Sequence, residues 1–189
     1  MDGFLGLLSS SLIIAVFLVV TMMVYQKKSL AKSDYYTQTI SDFGTIKEIR
    51  RIITLGCFII GILNIPFSLA LNSLIDGGLG FTLNNFSALT SISLVLTGLT
   101  VNKPKGKPHY FFSKVFFGVF YIFEALVSFK LLAVDLYWGQ VLISILMVNL
   151  VTTIGLFLKQ KKINGIIEIS YLGFNSLWLL ITGIVILWN

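Results

Sequence analysis

Charged side chains are scarce in this sequence, and their scarcity excludes an ordinary water-soluble domain. Only 12% of the 189 residues are charged, whereas 56% are hydrophobic. The mean hydropathy is +0.92. Soluble domains carry about 25% charged residues, so this chain cannot cover itself with a water-facing surface of normal composition. The composition predicts a multi-pass membrane protein that lies in the lipid bilayer of the cell membrane.

Histidine and cysteine are almost absent, which excludes several kinds of cofactor site. The chain has one cysteine, Cys57, and one histidine, His109. A disulfide framework, a cysteine-based metal site and a three-histidine zinc site are therefore impossible within the chain. Haem held by two histidines is excluded for the same reason. The sequence also lacks the G-x-S-x-G, Walker A and H-E-x-x-H patterns. We expect no cofactor and no bound metal.

Long apolar segments fill most of the chain. About 20 apolar residues cross a bilayer as a helix, and six segments reach that length. They are residues 4–25, 52–74, 79–101, 110–134, 136–158 and 163–188. The third is the least apolar, because it contains two asparagines and several serines and threonines. The pattern predicts an all-α bundle of six transmembrane helices that forms a single domain over residues 1–189.

The positions of the positive charges predict how the chain is threaded. Thirteen of the fourteen lysines and arginines fall in or beside the first, third and fifth loops, and Lys130 is the exception. Because positive residues favour the cytoplasmic side, we expect these loops to be cytoplasmic and both termini to lie outside. The net charge of +6 then indicates contact with anionic lipid headgroups rather than nucleic acid.

One carboxylate, Glu124, lies deep in apolar sequence, about fourteen residues into the fourth predicted span. A carboxylate at that depth costs several kcal/mol unless it is protonated or has a partner. Asn64, Asn149 and Asn175 have similar depths in other spans and could join it in a buried polar layer. Such a layer could bind a proton, a cation or a polar substrate, or it could serve only to join helices through hydrogen bonds.

A second group of candidates lies at the predicted cytoplasmic face. Asp42, His109 and Glu168 all lie in or beside cytoplasmic loops, and Ser41 adjoins the first of them. A histidine with two carboxylates can perform acid–base chemistry or hold a metal. A lone histidine near lysines can equally contact a headgroup or a helix end. His109 and Glu124 are fifteen residues apart on one helix, about 22 Å, so they belong to different sites.

Lysine side chains flank the same histidine. Lys103, Lys105 and Lys107 precede it in the third loop. Their charges suit them to bind an anionic headgroup, so we treat them as candidate substrate-binding residues.

Three segments of the chain resemble DUF998, a prokaryotic family of six-span membrane proteins of unknown function. The first, which follows the first predicted span, contains the family's Ser-Asp pair, with Phe43 where leucine is usual. The second contains its G-x-x-H pattern before an aromatic span, and the third its acidic residue with a tryptophan downstream. The segments are YTQTISDFG from Tyr36, GKPHYFFSKVFF from Gly106, and GIIE from Gly165 followed by Trp178.

The resemblance implies a six-helix bundle in which Asp42, His109 and Glu168 are the positions of interest. It implies no reaction. A more distant similarity is to membrane hydrolases with a Ser/Asp/His metal site near one interface. This chain lacks the additional histidines of those enzymes, so metal chemistry is not expected.

Two functions remain open from the sequence. The favoured one is a non-catalytic accessory or structural subunit that packs within a larger membrane complex, because the loops are short and the serine- and threonine-rich helix faces suit helix partners. The alternative is a small membrane enzyme or carrier that acts on a lipid-like substrate at the cytoplasmic interface through Asp42, His109 and Glu168. Convergence of these three side chains would favour the alternative.

Overall fold

The computed structural model describes Phe4, Leu8 and residues 39–74, 80–160 and 165–188. Over these residues the chain is helical, with one short 3-10 helix, Ser41–Thr45, and no strand. Five α-helices follow. They are α1 (Lys47–Leu74), α2 (Gly80–Thr100), α3 (Lys107–Val134), α4 (Leu136–Gln160) and α5 (Gly165–Trp188). The predicted first span, residues 4–25, lies outside the described residues except for Phe4 and Leu8. Residues 36–38, the first three of the segment with the Ser-Asp pair, also lie outside them.

Four of the described helices are long and apolar enough to cross a membrane. These are α1 over Lys47–Leu71, together with α3, α4 and α5 over their full lengths. The helix of the fourth predicted span thus begins three residues earlier than predicted, and that of the fifth ends two residues later. Helix α2 is not among the four, because Asn84, Asn85 and a series of serines and threonines lower its hydropathy. The described chain is therefore a multi-pass helical membrane protein, while the count of six spans stays a prediction.

Each helix packs against the next one along the chain, and α1 also contacts α5. The main core lies between α3 and α5, where aromatic side chains interlock: Phe120 and Phe123 both meet the Trp178 ring edge-on or nearly so. Trp178 is 1% exposed and donates its indole N–H to Ser128 Oγ at 3.0 Å. This hydrogen bond satisfies the one polar group of the largest buried side chain.

Helices α1 and α2 approach closely because small residues face each other. A Cβ atom added at Gly98 would lie 2.6 Å from the Cβ of Cys57, and one added at Gly61 would lie 2.9 Å from a methyl of Val95. The Thr54 hydroxyl then reaches across and donates to the carbonyl of Gly98 at 2.8 Å. Close backbone approach of this kind is the usual packing mode of membrane helices.

A second, smaller apolar cluster closes one end of the bundle. Phe43 of the 3-10 helix packs there with Ile49, Ile53 and Val101. This end comprises the starts of α1, α3 and α5 and the ends of α2 and α4, and it carries Lys103, Lys105, Lys107 and Lys159. We call it the basic end. It positions every interfacial candidate that the structure describes.

Candidate functional site

Glu168 ties the segment before α1 to the first turn of α5. Its side chain is 9% exposed, and Oε2 accepts a hydrogen bond of 2.6 Å from the backbone N–H of Ile40. A carboxylate in the first turn of a helix is also favoured by the partial positive charge of the free amides there. Glu168 therefore has a clear structural role at the basic end.

Asp42 lies near enough to the two other interfacial candidates to interact with both electrostatically. Its Oδ2 accepts from the N–H of Thr39 at 2.8 Å, and its own N–H donates to the Thr39 hydroxyl at 3.1 Å, which closes a tight turn. From there the carboxylate interacts electrostatically with both His109 and Glu168. The three candidates of the sequence thus share one region of the basic end.

His109 is held by hydrogen bonds on both ring nitrogens. Nδ1 lies 3.1 Å from the carbonyl oxygen of Thr97 and 3.3 Å from the Thr100 hydroxyl, and Nε2 lies 3.4 Å from the Ser113 hydroxyl. A carbonyl only accepts, so Nδ1 carries a proton and donates it. The last carbonyls of a helix have no partner within it, and His109 satisfies one of them in α2. It is 3% exposed.

These side chains do not assemble into a metal site. Across the described ranges of the chain, no three histidine, cysteine, aspartate or glutamate side chains are grouped so that they could hold a metal ion. The ring nitrogens of His109 face helix backbone and hydroxyl groups instead. The lysines of the third loop, Lys103, Lys105 and Lys107, are exposed to solvent at the same end.

A groove of about 260 Å³ opens beside Glu168, between α3, α4 and α5. Its surface is almost wholly apolar, although several of the residues that border it carry polar groups. Lys114 and Glu168 lie at the basic end, and Tyr121, Thr153 and Tyr171 lie deeper along the helices. The apolar lining consists of Phe117, Ile154, Phe157 and Ile167. From Lys114 to Tyr121 the groove follows α3 for seven residues, about 10 Å.

The deeper end of the groove meets a buried polar network. The Tyr121 hydroxyl lies 3.1 Å from Asn149 Oδ1 and 3.2 Å from Thr153 Oγ1. The side-chain amides of Asn149 and Asn175 lie 2.8 Å apart. The Asn175 amide in turn lies 3.1 Å from Glu124 Oε1. Three members of the predicted layer, Glu124, Asn149 and Asn175, are therefore in one network.

Asn64, the fourth member, lies elsewhere. Its Nδ2 donates to Ser91 Oγ at 3.1 Å, with Ser87 Oγ at 3.5 Å, and its carbonyl accepts from Ser68 Oγ at 2.6 Å. Ser68 also contacts Ser87. The sequence predicts a similar depth for Asn64, but its helix face points to α2, where it joins α1 to that helix. Depth along a span does not specify which face a residue occupies.

Comparison of the sequence with models of known protein families assigns this chain to one of them. The profile of DUF998, described as a protein of unknown function, matches residues 13–185. The chain belongs to the DUF998 family. The match covers most of the sequence and includes the Ser-Asp pair, His109 and Glu168. No curated protein and no solved structure matches this DUF998 chain.

Several residues of this DUF998 protein that line the groove or connect it to Glu124 escaped the sequence analysis. Tyr121, Tyr171 and Thr153 were not among the residues that the sequence singled out. Their spacing offered a signal: Tyr121 and Glu124 lie three residues apart on α3, and Tyr171 and Asn175 lie four apart on α5. Residues three or four apart share a helix face, so these tyrosines accompany the predicted polar residues.

Proposed function

We propose that this protein binds a lipid-like amphiphile at the basic end, in the groove between α3, α4 and α5. The observation that carries the proposal is the almost wholly apolar surface of the groove, which Lys114 and Glu168 border toward the basic end. Ligand sites typically have volumes of about 300–1,000 Å³. A groove of about 260 Å³ fits a headgroup with the first part of one chain, and not a whole lipid.

The charges at the mouth favour an amphiphile with an anionic head. The ammonium group of Lys114 is exposed and lies 4.2 Å from the centroid of the Tyr110 ring, which steadies it at the entrance. Lys103, Lys105 and Lys107 add positive charge at the same end. Glu168 is engaged by the backbone of Ile40, so its oxygen Oε2 is already occupied.

Binding or carriage fits this geometry better than catalysis. An acid–base catalyst must reach the proton it transfers, directly or through one water. Both nitrogens of His109 are occupied by helix groups, and Glu168 holds the segment before α1. In this proposal Asp42, His109 and Glu168 shape the mouth of the groove, and their removal weakens binding by loosening that structure.

Native mass spectrometry of the gently purified protein tests the proposal. We expect an anionic lipid to remain bound, and we expect Ile154→Trp to displace it by filling the groove. Ile122→Trp is the matched control, because Ile122 and Ile154 are both 48% exposed and only Ile154 lines the groove. Equal lipid retention by the two variants, or no bound lipid in the parent protein, would refute the proposal.

The accessory-subunit role is a second candidate, and the outer surface of α4 is the feature that supports it. Only 17% of the apolar window of this helix is buried, against 44% for α5. Gly155 lies on the open side, where an added Cβ would meet nothing within 4 Å. Small residues on an exposed membrane helix suit a partner helix. Native electrophoresis of solubilised membranes tests this role, and migration of the chain alone would argue against it.

A further inference from the structure

Glu124 is buried midway through the bundle and is only partly satisfied. Its side chain is 1% exposed, and Oε2 finds no hydrogen-bond partner among the described residues. It lies ten residues before the end of α3 and seventeen after its start, about 15 Å and 26 Å along the helix axis. An ionisable group at such a depth is expensive to keep, and a purely structural role would be served as well by an amide.

The contacts around Glu124 suit both protonation states. The Asn175 amide lies 3.1 Å from Glu124 Oε1, and its two orientations serve opposite purposes. With its oxygen toward Glu124, it accepts from a protonated carboxyl and also from Asn149 Nδ2 at 2.8 Å. With its nitrogen toward Glu124, it donates to an ionised carboxylate, and its oxygen accepts from the Tyr171 hydroxyl at 3.1 Å. In the second arrangement the Asn175 nitrogen also faces Asn149 Nδ2 at 2.8 Å, so the Asn149 amide must rotate as well. Rotation of the two amides together thus exchanges the two arrangements.

The same network reaches the groove. Tyr121 and Thr153 line the groove and also hydrogen bond with Asn149, which contacts Asn175. Hydroxyl and amide groups therefore form a continuous polar line from the groove to Glu124. A polar line of this kind gives water molecules the partners they need inside a protein.

We propose that the Glu124 carboxyl reversibly binds a proton, which it exchanges with the groove side of the bundle through water molecules that hydrogen bond along the line of Tyr121, Thr153, Asn149 and Asn175. Among the residues that the structure describes, the ionisable groups that face it are Tyr121 on its own helix and Tyr171 on α5. Helix α4 presents Asn149 and Thr153, which do not ionise, and α2 contains no charged residue. The proton site does not depend on an amphiphile in the groove.

Infrared difference spectroscopy of the full-length protein in lipid membranes tests the proposal. We expect a carboxyl C=O band, typical of a protonated acid in an apolar site, to diminish reversibly as pH rises, and we expect Glu124→Gln to lose it. A band that is present at every pH at which the protein stays folded would mean a permanently neutral structural residue, and it would overturn the proposal. Removal of the band at constant pH by sodium or potassium would instead indicate a cation site, which also overturns it.

The route is tested by hydrogen–deuterium exchange of that band. Thr153→Val removes a hydroxyl from the polar line, so we expect slower exchange of the Glu124 proton. Ser144→Ala is the matched control on the same helix, because the Ser144 hydroxyl is exposed and bonds only to the carbonyl of Gln140 in the described structure. Equal exchange rates in the two variants would exclude the groove as the route. Loss of lipid binding with the titrating band intact would refute only the amphiphile proposal.

Discussion

At the scale of single residues, the candidate side chains were easy to find because ionisable residues are rare in this sequence. The role of each one depends on the groups that surround it. His109 was conspicuous as the only histidine. Its two nitrogens are engaged by the end of α2 and by Ser113, so a helix-end contact, one of the alternatives open from the sequence, describes its position. Glu168 likewise engages the backbone of Ile40. Rarity in a sequence identifies a special residue without identifying its role.

Glu124 gives a prediction at this scale. Glu124→Gln keeps a polar head at the Asn175 amide, so we expect little change in stability. Glu124→Leu leaves the Asn175 amide without that partner, and an unsatisfied buried polar group costs about 1–3 kcal/mol. Thermal unfolding of the purified variants in detergent measures the difference. Equal stability of the two variants would mean that the contact between Glu124 and Asn175 contributes nothing to the fold.

Ser128 gives a second prediction at the residue scale, because its hydroxyl joins two helices. It accepts from the Trp178 indole at 3.0 Å and donates to the carbonyl of Glu124 at 2.7 Å. Hydrogen bonds between membrane helices contribute roughly 0.6 kcal/mol on average and up to about 1.7, so we expect Ser128→Ala to destabilise by about 1 kcal/mol. Ser144→Ala, on an exposed face, is the control. A melting temperature equal to that of the control would contradict the assigned role of Ser128.

At the scale of helices, hydropathy and periodicity indicated where helices occur, and close contacts determine how they pair. The serine-rich face of α2 was expected to pack against another helix. The partner is α1, through Asn64, Ser87 and Ser91. The sequence could not name that partner, because each of the neighbouring helices offers polar residues at a similar depth. The glycines Gly61 and Gly98 favour this pairing by allowing the backbones to approach.

Gly98 therefore supplies the prediction for this interface. Gly98→Ala places a methyl group 2.6 Å from Cys57 Cβ, so α1 and α2 must separate. Overpacking of this kind costs about 1–3 kcal/mol, which thermal unfolding would detect. Gly118→Ala is the control, since nothing lies within 4 Å of the added atom, and alanine favours the helix by about 1 kcal/mol. Equal destabilisation by both changes would argue against tight contact between these helices.

At the scale of the whole molecule, the charges predict a threading that the helices alone leave open. The described lysines Lys103, Lys105, Lys107 and Lys159 share the basic end, while Lys130 and Asp135 lie toward the opposite one. This asymmetry of positive charge determines the orientation in which a membrane protein is inserted. The packing of the helices against one another is the same in either orientation. The cytoplasmic position of the basic end and the outward termini therefore stay predictions.

Cysteine labelling of intact cells tests the threading. In a Cys57→Ser background, we expect an impermeant thiol reagent added outside to leave Lys105→Cys unlabelled, because the third loop is predicted to be cytoplasmic. Tyr137→Cys, at the exposed start of α4, should be labelled under the same conditions. The reverse pattern would show that the chain is threaded in the opposite sense.

The amino-acid sequence by itself determined the class of protein, its family and the helical segments that the structure describes. These properties depend on composition and on position along a helix, which are local. Tertiary structure decided which faces meet, because a rotation about a helix axis changes every partner without changing any depth. That is why Asn149 and Asn175 join Glu124 while Asn64 does not, and why the groove and its tyrosines became visible only once α3, α4 and α5 were packed together.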